Sequence, residues 1–401
     1  MPLLLDEAAR RPLPQMYPFR QEFDRKKLTD IPAALSAEFH KEEILSAIKP
    51  GMKIAVAVGS RGIDHLPLIV KELIDFLKSL DTCPVILAAM GSHGGGSIEG
   101  QLEILHGYGI TEEAMGVPVM ASNDVVSIGR TSQGIDIYFD RFCHEEADLV
   151  ITVNRIKLHT DFVDTIQSGL CKMLVIGLGH HIGCSSVHGC QFEELGAVIK
   201  EAATMILNQE RIGFGLGILE NAYDQTMMLE AIPARHFIER EEALVKIATE
   251  HMPGLPFDKI DIMIVEEIGK DISGAGFDPN ILGRSPIRQE YLLPVPEIER
   301  MVLLGLSEGT HGNGIGIGCF DIVTRNVFDQ LDTESMYANA IALKSLEDCK
   351  IPLIAADEEE AIRIAMASLR DADMDHLRVV RIRDTLHLGE FYVSEACLDE
   401  I

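Results

Sequence analysis

The chain of 401 residues has no run of about 18 apolar residues, so no segment is long enough to cross a membrane as a helix. Positive charge is scarce. Thirty-five lysines and arginines stand against 63 aspartates and glutamates, for a formal net charge of −28. A surface this acidic argues against a nucleic-acid partner, whose phosphates need basic groups. It also means that an anionic substrate needs a local cation against a repulsive overall field. Met1-Pro-Leu-Leu-Leu-Asp6 is too short for a secretory signal and has no basic start, so a cytoplasmic location is expected. Eight cysteines are scattered without a CxxC pair. Cys171, Cys184 and Cys190 are spaced too irregularly for a structural zinc site, and the set reads as reduced thiols. There is no internal repeat and no low-complexity linker. Gly59-Ser-Arg61-Gly62 lacks both the phosphate-loop lysine and the spacing of a dinucleotide fingerprint.

What is present is ample apolar material, 47% of the residues, in a chain too long for one compact core. Two domains are expected, residues 1–255 and 256–401, with the boundary at His251-Met-Pro-Gly-Leu-Pro256. Along the first, Lys53–Val58, Pro84–Met90 and Asp148–Val153 read as buried strands. The first two are each followed by a glycine loop and a helix, Leu66–Leu80 in one case and a helix from Ser97 in the other. An amphipathic stretch, Ile31–Ile48, comes before them. In the second domain Lys259–Val265 and Arg300–Leu306 read as strands. Phe320–Leu331 and Glu358–Leu369 read as helices, and the tail from His376 to Val393 as two strands. Strand, loop, helix, repeated, predicts an α/β fold of two domains with mainly parallel sheets. Ligands of such sheets bind at the carboxyl ends of the strands, which here places the active site in an interdomain cleft. Arg61, His93 and the segment after Asn154 all fall at such ends.

That last segment is the densest in chemistry. Between Asn154 and His188 lie His159, His180, His181 and His188, four of the chain's 14 histidines. In the same stretch Lys172 stands in Leu-Cys-Lys-Met-Leu, apolar on both sides, unlike an ordinary surface lysine. Histidine suits acid/base work and metal ligation near neutral pH. His93, in Gly-Ser-His-Gly-Gly-Gly, has few packing partners and is able to face a cleft. Gly312–Gly318, with glycine at alternate positions, reads equally as a flat segment packed on a neighbour or as a close approach to a ligand.

Taken together these segments resemble the nickel-dependent lactate racemase family and its 2-hydroxyacid racemase and epimerase homologues. The resemblance runs through Gly91-Ser-His93-Gly-Gly, Val153-Asn-Arg-Ile-Lys-Leu-His159-Thr-Asp-Phe and Gln167-Ser-Gly-Leu-Cys-Lys172-Met-Leu. In the second domain it includes Ile268-Gly-Lys270-Asp-Ile-Ser-Gly, Asp278-Pro-Asn and Gly283-Arg284. It implies that Lys172, after Ser168 and Gly169, is covalently joined to a nickel-pincer nucleotide (nickel pyridinium-3,5-bisthiocarboxylic acid mononucleotide). It implies that His188, 16 positions further on, ligates the nickel. His93 and His159 become the acid/base pair on opposite faces of the substrate, and Arg61 the clamp on its carboxylate. The chain departs from the family pattern at Val58 and Gly62 around that arginine, and at Leu170-Cys171. The loop from His159 to Lys172 is also longer.

The chemistry so implied is inversion of a 2-hydroxy acid. A carboxylate neighbour makes the C2 proton a very weak acid. Removal of hydride while a base takes the hydroxyl proton gives a planar keto acid, open to hydride return on either face. Two histidines suit the two bases, a planar guanidinium the carboxylate, and a neutral imidazole the nickel. Lys270, past the strand ending at Val265, is the second domain's candidate for holding the substrate. The expected partners are a small 2-hydroxy acid and the enzymes that make the cofactor. A homo-oligomer is compatible with the sequence. Two other readings stand beside this one, a cofactor-free metal hydrolase using His180, His181 and His188, and a ligand-binding homologue without activity.

Overall fold

The computed structural model describes residues 11–60 and 62–400. They divide into two compact units. One is Asp24–Met252, and the other joins the arm ending at Phe23 to the segment from Pro253.

The arm carries strand β1 (Met16–Arg20). The first unit then opens with helix α1 (Ile31–Phe39), whose N-terminus Asp30 caps by accepting the Ala33 N–H at 2.9 Å. The amphipathic stretch breaks there, and a shorter helix, α2 (Glu42–Ala47), follows. Strand β2 (Lys53–Val58), helix α3 (Leu66–Ser79), strand β3 (Cys83–Ala88) and helix α4 (Ile98–Gly107) lie where the sequence pattern puts them. Next come strand β4 (Val119–Met120), the hairpin of β5 (Val125–Arg130) and β6 (Asp136–Asp140), and strand β7 (Leu149–Arg155). Helix α5 (Leu170–Lys172) runs on as a π-helical turn, Met173–Gly177, and is followed by α6 (His180–Val187) and α7 (Leu195–Gln209). Strands β8 (Ile212–Glu220) and β9 (Thr226–Pro233) and helix α8 (Phe237–Glu250) complete the unit.

Its main sheet has the order β4-β3-β2-β7-β8-β9, parallel throughout except for β9. Alternate residues of the central strand feed opposite faces. Ile54, Val56 and Val58 join the core under α3, while Ala55 and Ala57 join the core under α7. From β2 the chain moves outward to β3 and β4, then returns to β7 on the other flank of β2. The order therefore reverses between β2 and β7, and a crevice opens at their carboxyl ends.

The second unit has strands β10 (Lys259–Ile268), β11 (Glu297–Leu306), β12 (Ile322–Thr324), β13 (Leu353–Ala355), β14 (Val379–Ile382) and β15 (Glu390–Ser394), with helix α9 (Glu358–Ser368). The sheet order is β1-β15-β14-β10-β11-β12-β13, parallel from β14 to β13 and antiparallel at β15 and β1. Two sequence expectations change here. Residues 11–23, placed by the sequence reading in a domain 1–255, belong to this unit. Phe19 pairs with Phe391, and its ring lies 5.1 Å from that of Phe391 and 6.2 Å from that of Phe257. Phe320–Leu331 is not one helix, because the β-branched run Ile322-Val-Thr324 pairs with Val302 and Leu303 of β11 and only Arg325–Asp329 is helical. Among the described residues no single helix is long and apolar enough to cross a membrane.

Candidate active site

The crevice between β2 and β7 is lined first by the turn after β2. Gly59 packs against the lysine-bearing helix, since a Cβ there would lie 3.0 Å from Met173 Cε and 3.5 Å from Asn154 Oδ1. The Ser60 hydroxyl is hydrogen-bonded to His93 Nδ1, and Tyr108 from the end of α4 donates to the Ser60 carbonyl at 2.7 Å. The next residue, Arg61, lies outside the described residues.

The loop after β3 presents His93 on the surface and then makes three successive left-handed residues, Gly94, Gly95 and Gly96, with φ of +65°, +66° and +66°. A Cβ on Gly94 would also stand 2.6 Å from the Gly100 carbonyl carbon, so glycine is required there by both backbone and contact. The loop is fastened to the next segment. Gly91 donates to the Gly177 carbonyl at 3.3 Å, and the His181 ring lies against Gly96.

The long connection after β7 is closed at its base. Lys157 and Ser168 pair antiparallel through both backbone bonds, 2.9 and 3.2 Å, and Asn154 Nδ2 donates to the Gly169 carbonyl at 3.0 Å. Inside it, fully buried Gln167 accepts the His159 backbone N–H at 2.7 Å and donates to the Asp164 carbonyl at 3.1 Å. His159 is only 7% exposed and stacks on Phe162 at 4.4 Å. Its Nδ1 accepts the backbone N–H of Asp161 at 3.0 Å, and its Nε2 meets the Nζ of Lys172. Two residues that the sequence singled out independently thus touch.

Lys172 is half-buried between buried Cys171 and Met173, at the point where α5 passes into the π turn. Leu178 donates to Met173, five residues back, a geometry that recurs at functional sites. The helix start is held by Glu241 of α8. This carboxylate is fully buried, accepts the Cys171 N–H at 2.8 Å, and sits where a Cβ on Gly169 would be, 2.4 Å from its Oε1. Burial pushes the Glu241 carboxyl up from 4.5 to about 7, against its hydrogen bonds to the Cys171 and Leu170 backbone. Burial, reinforced by Glu241, also pushes the Cys171 thiol well up, which makes it a poor nucleophile.

The other histidines part company. His180 is fully buried at φ +51°, and its Nε2 bonds Asp140 Oδ2 at 2.8 Å. His181 is exposed beside Gly96, and half-buried His188 ends α6. A triple-histidine metal centre is therefore disfavoured, because His180 is committed to Asp140. Among the described residues no three His, Cys, Asp or Glu side chains converge as a metal-holding group. In the second unit Lys270 donates to the Gly274 carbonyl at 2.8 Å within its own loop. Gly316 packs on Ala275 and Gly276 on Ile315, so the glycine-rich run is a backbone-to-backbone packing surface. Arg284 is spent on Asp321 at 2.8 Å and on three carbonyls. Sequence reasoning missed Ser60, Gln167 and Glu241. Ser60 and Gln167 sit inside the quoted motifs, but Glu241 is 70 residues from its partner and nothing local marks it.

A parallel α/β unit with a histidine–lysine contact at its strand-order reversal defines a class of crevice-site α/β protein. Residues 14–198, which contain His93, His159, Lys172 and His188, match the family model described as the lactate racemase N-terminal domain. Over these residues the chain is similar to the N-terminal domain of the lactate racemase family. A search of curated proteins finds no match. Among solved structures, the chain is similar to the lactate racemase apoprotein of Thermoanaerobacterium thermosaccharolyticum, with TM-score 0.53 and 13% identity over 90% of this chain and 92% of that one. It is also similar to a Thermotoga maritima protein solved by a structural genomics consortium, with TM-score 0.51 and 16% identity over 71% of this chain and 72% of that one. At these identities the likeness to solved structures is one of fold.

Proposed function

We propose that the protein is an isomerase, a racemase or epimerase that inverts C2 of a 2-hydroxy acid with a nickel-pincer nucleotide anchored on Lys172. The observation that carries this reading is the contact between Lys172 Nζ and His159 Nε2 beside the strand-order reversal. The residues suit the group. An acyl or thioacyl anchor needs an amine with a usable lone pair, and Lys172 meets the His159 ring in a largely apolar setting. His188 is the proposed nickel ligand, with the other donors belonging to the cofactor. When bound, the cofactor supplies the hydride acceptor.

The chain's own residues do the rest. Arg61 clamps the substrate carboxylate through its planar fork. His159 and His93 exchange the hydroxyl proton from the two sides. Ser60 engages His93 at Nδ1, which favours Nε2 for that exchange. Gln167 and Phe162 hold the His159 ring in place, so that its orientation is set before substrate arrives. Ser168 and Gly169 contribute through backbone, the first closing the loop at Lys157 and the second letting Glu241 reach the helix start. Lys270 is proposed as a further substrate contact.

The test is a panel of single enantiomers of 2-hydroxy acids, offered to protein made alongside cofactor-synthesis enzymes and followed by chiral chromatography. One acid is expected to be converted to its antipode or epimer. His93→Ala and His159→Ala should each lose about 10²–10⁴-fold in both directions, because every turnover uses both bases. Arg61→Lys should mainly raise KM, and Lys270→Ala should lower kcat/KM by about tenfold. Loaded protein that inverts no acid in the panel sinks the reading. A variant with unchanged kinetics removes that residue from it.

A further inference from the structure

We propose that His159 acts before catalysis, holding the Lys172 amine neutral and nucleophilic until the cofactor's acyl or thioacyl group is joined to it. Only then does His159 Nε2 become available to substrate. The identity of the acyl donor rests on the proposed function, whereas the state of the lysine rests on geometry alone.

A neutral imidazole has one N–H and one lone pair. The backbone N–H of Asp161 points at His159 Nδ1 at 3.0 Å, nearer than the Asp161 carboxylate at 3.9 Å, so the lone pair is at Nδ1 and the proton at Nε2. A doubly protonated ring would set two hydrogens against each other at Nδ1. The hydrogen bond between His159 Nε2 and Lys172 Nζ therefore runs from the ring to the amine. An ammonium has three donors and no acceptor, so Nζ fills this role only as a neutral amine. The arrangement is well braced. Gln167 fixes the His159 backbone at 2.7 Å, Phe162 stacks on the ring, and Cys171 and Met173 are buried on either side of the lysine.

In acylation the Nζ lone pair forms a C–N bond to the acyl carbon. The bond from that carbon to its leaving group breaks, with the electron pair going to the leaving group. One N–H proton of Lys172 passes to water. The nitrogen of the product amide or thioamide has its lone pair delocalised and no longer accepts. His159 Nε2–H then no longer donates to Nζ and can engage the substrate hydroxyl oxygen. Anchoring thus precedes acid/base work by the same ring, which also requires the Asp161 N–H to release Nδ1, because a ring protonated at Nε2 takes up no further proton there.

The experiment uses the full chain without cofactor and a small acetylating probe, the N-hydroxysuccinimide ester of acetate. Acetylation of each lysine is resolved by peptide mass spectrometry as a function of pH. Access scales the whole curve, whereas the midpoint reports the amine's protonation. The Lys172 midpoint is expected at least about one unit below those of exposed lysines, whose ordinary value is ~10.4, and should return towards them in His159→Ala. In the unsubstituted protein, ¹⁵N NMR of the imidazoles should show His159 as the Nε2–H tautomer. An ordinary midpoint for Lys172, a midpoint unmoved in His159→Ala, or the Nδ1–H tautomer overturns the proposal. Since neither probe involves nickel, a reactive Lys172 in a chain that inverts no acid once loaded would keep this inference and sink the proposed function. An active loaded enzyme with an ordinary Lys172 midpoint would do the reverse.

Discussion

At Glu241 one carboxyl group holds the start of the lysine-bearing helix, and it does so out of water. Burial holds its folded value at about 7 against an ordinary 4.5. Between these pH values the unfolded chain has released a proton that the folded chain keeps. The contribution of this proton to stability is therefore complete below about pH 4.5 and is lost as pH rises through about 7, roughly 3 kcal/mol in all. Glu241→Gln cannot ionise. Chemical unfolding should show its stability, relative to the unsubstituted chain, improving by up to that amount from pH 4.5 to pH 8, whatever the offset at pH 4.5. A constant offset would mean that the carboxyl is not desolvated. At this scale the sequence was partly legible. Lys172 stands out by its apolar flanks and His93 by its glycine neighbours, because both signals are local. Glu241, and Asp140 beneath His180, bond partners 70 and 40 residues away, and such pairings exist only once the chain is folded.

The elements that carry the site are short and irregular, and their glycines are specific. Gly94 has φ +65° and lies against the Gly100 backbone, so Gly94→Ala must bear about 1–2 kcal/mol for the left-handed conformation and a steric clash besides. Gly107, near the end of α4, has nothing within 4 Å of its Cβ position, so Gly107→Ala should be neutral or stabilising by up to about 1 kcal/mol. Thermal unfolding of the pair compares them directly, and equal melting temperatures would contradict this account of the His93 loop. The regular elements were the legible ones. β2 and the start of α3 fall on the residues the pattern indicates, because buried parallel strands and amphipathic helices write their periodicity into sequence. The π turn after Lys172 has no such signature. Ile322–Thr324 misled because three β-branched residues at a sheet position also fit the start of an apolar helix face.

For the molecule as a whole, the strand-order reversal explains why residues from Ser60 to Lys172 gather at one place. The turn after β2, the loop after β3 and the connection after β7 all leave the same edge of one sheet. The parallel α/β class followed from the alternation of strands and helices, but the attachment of the arm to β15 did not, since β1 pairs with a strand whose nearest partner, Glu390 for Arg20, is far along the chain. With a net charge of −28, an anion is drawn in only by local cations, and Arg61 is the one proposed for this role. The central claim is that C2 is inverted by hydride held within the site. The most direct measurement offers one enantiomer of a 2-deuterated 2-hydroxy acid to cofactor-loaded protein in ordinary water. The products are separated by chiral chromatography and weighed. The account predicts the opposite configuration at C2 with deuterium retained. Product that has exchanged its deuterium for solvent hydrogen, or no product from any acid tried, would contradict it.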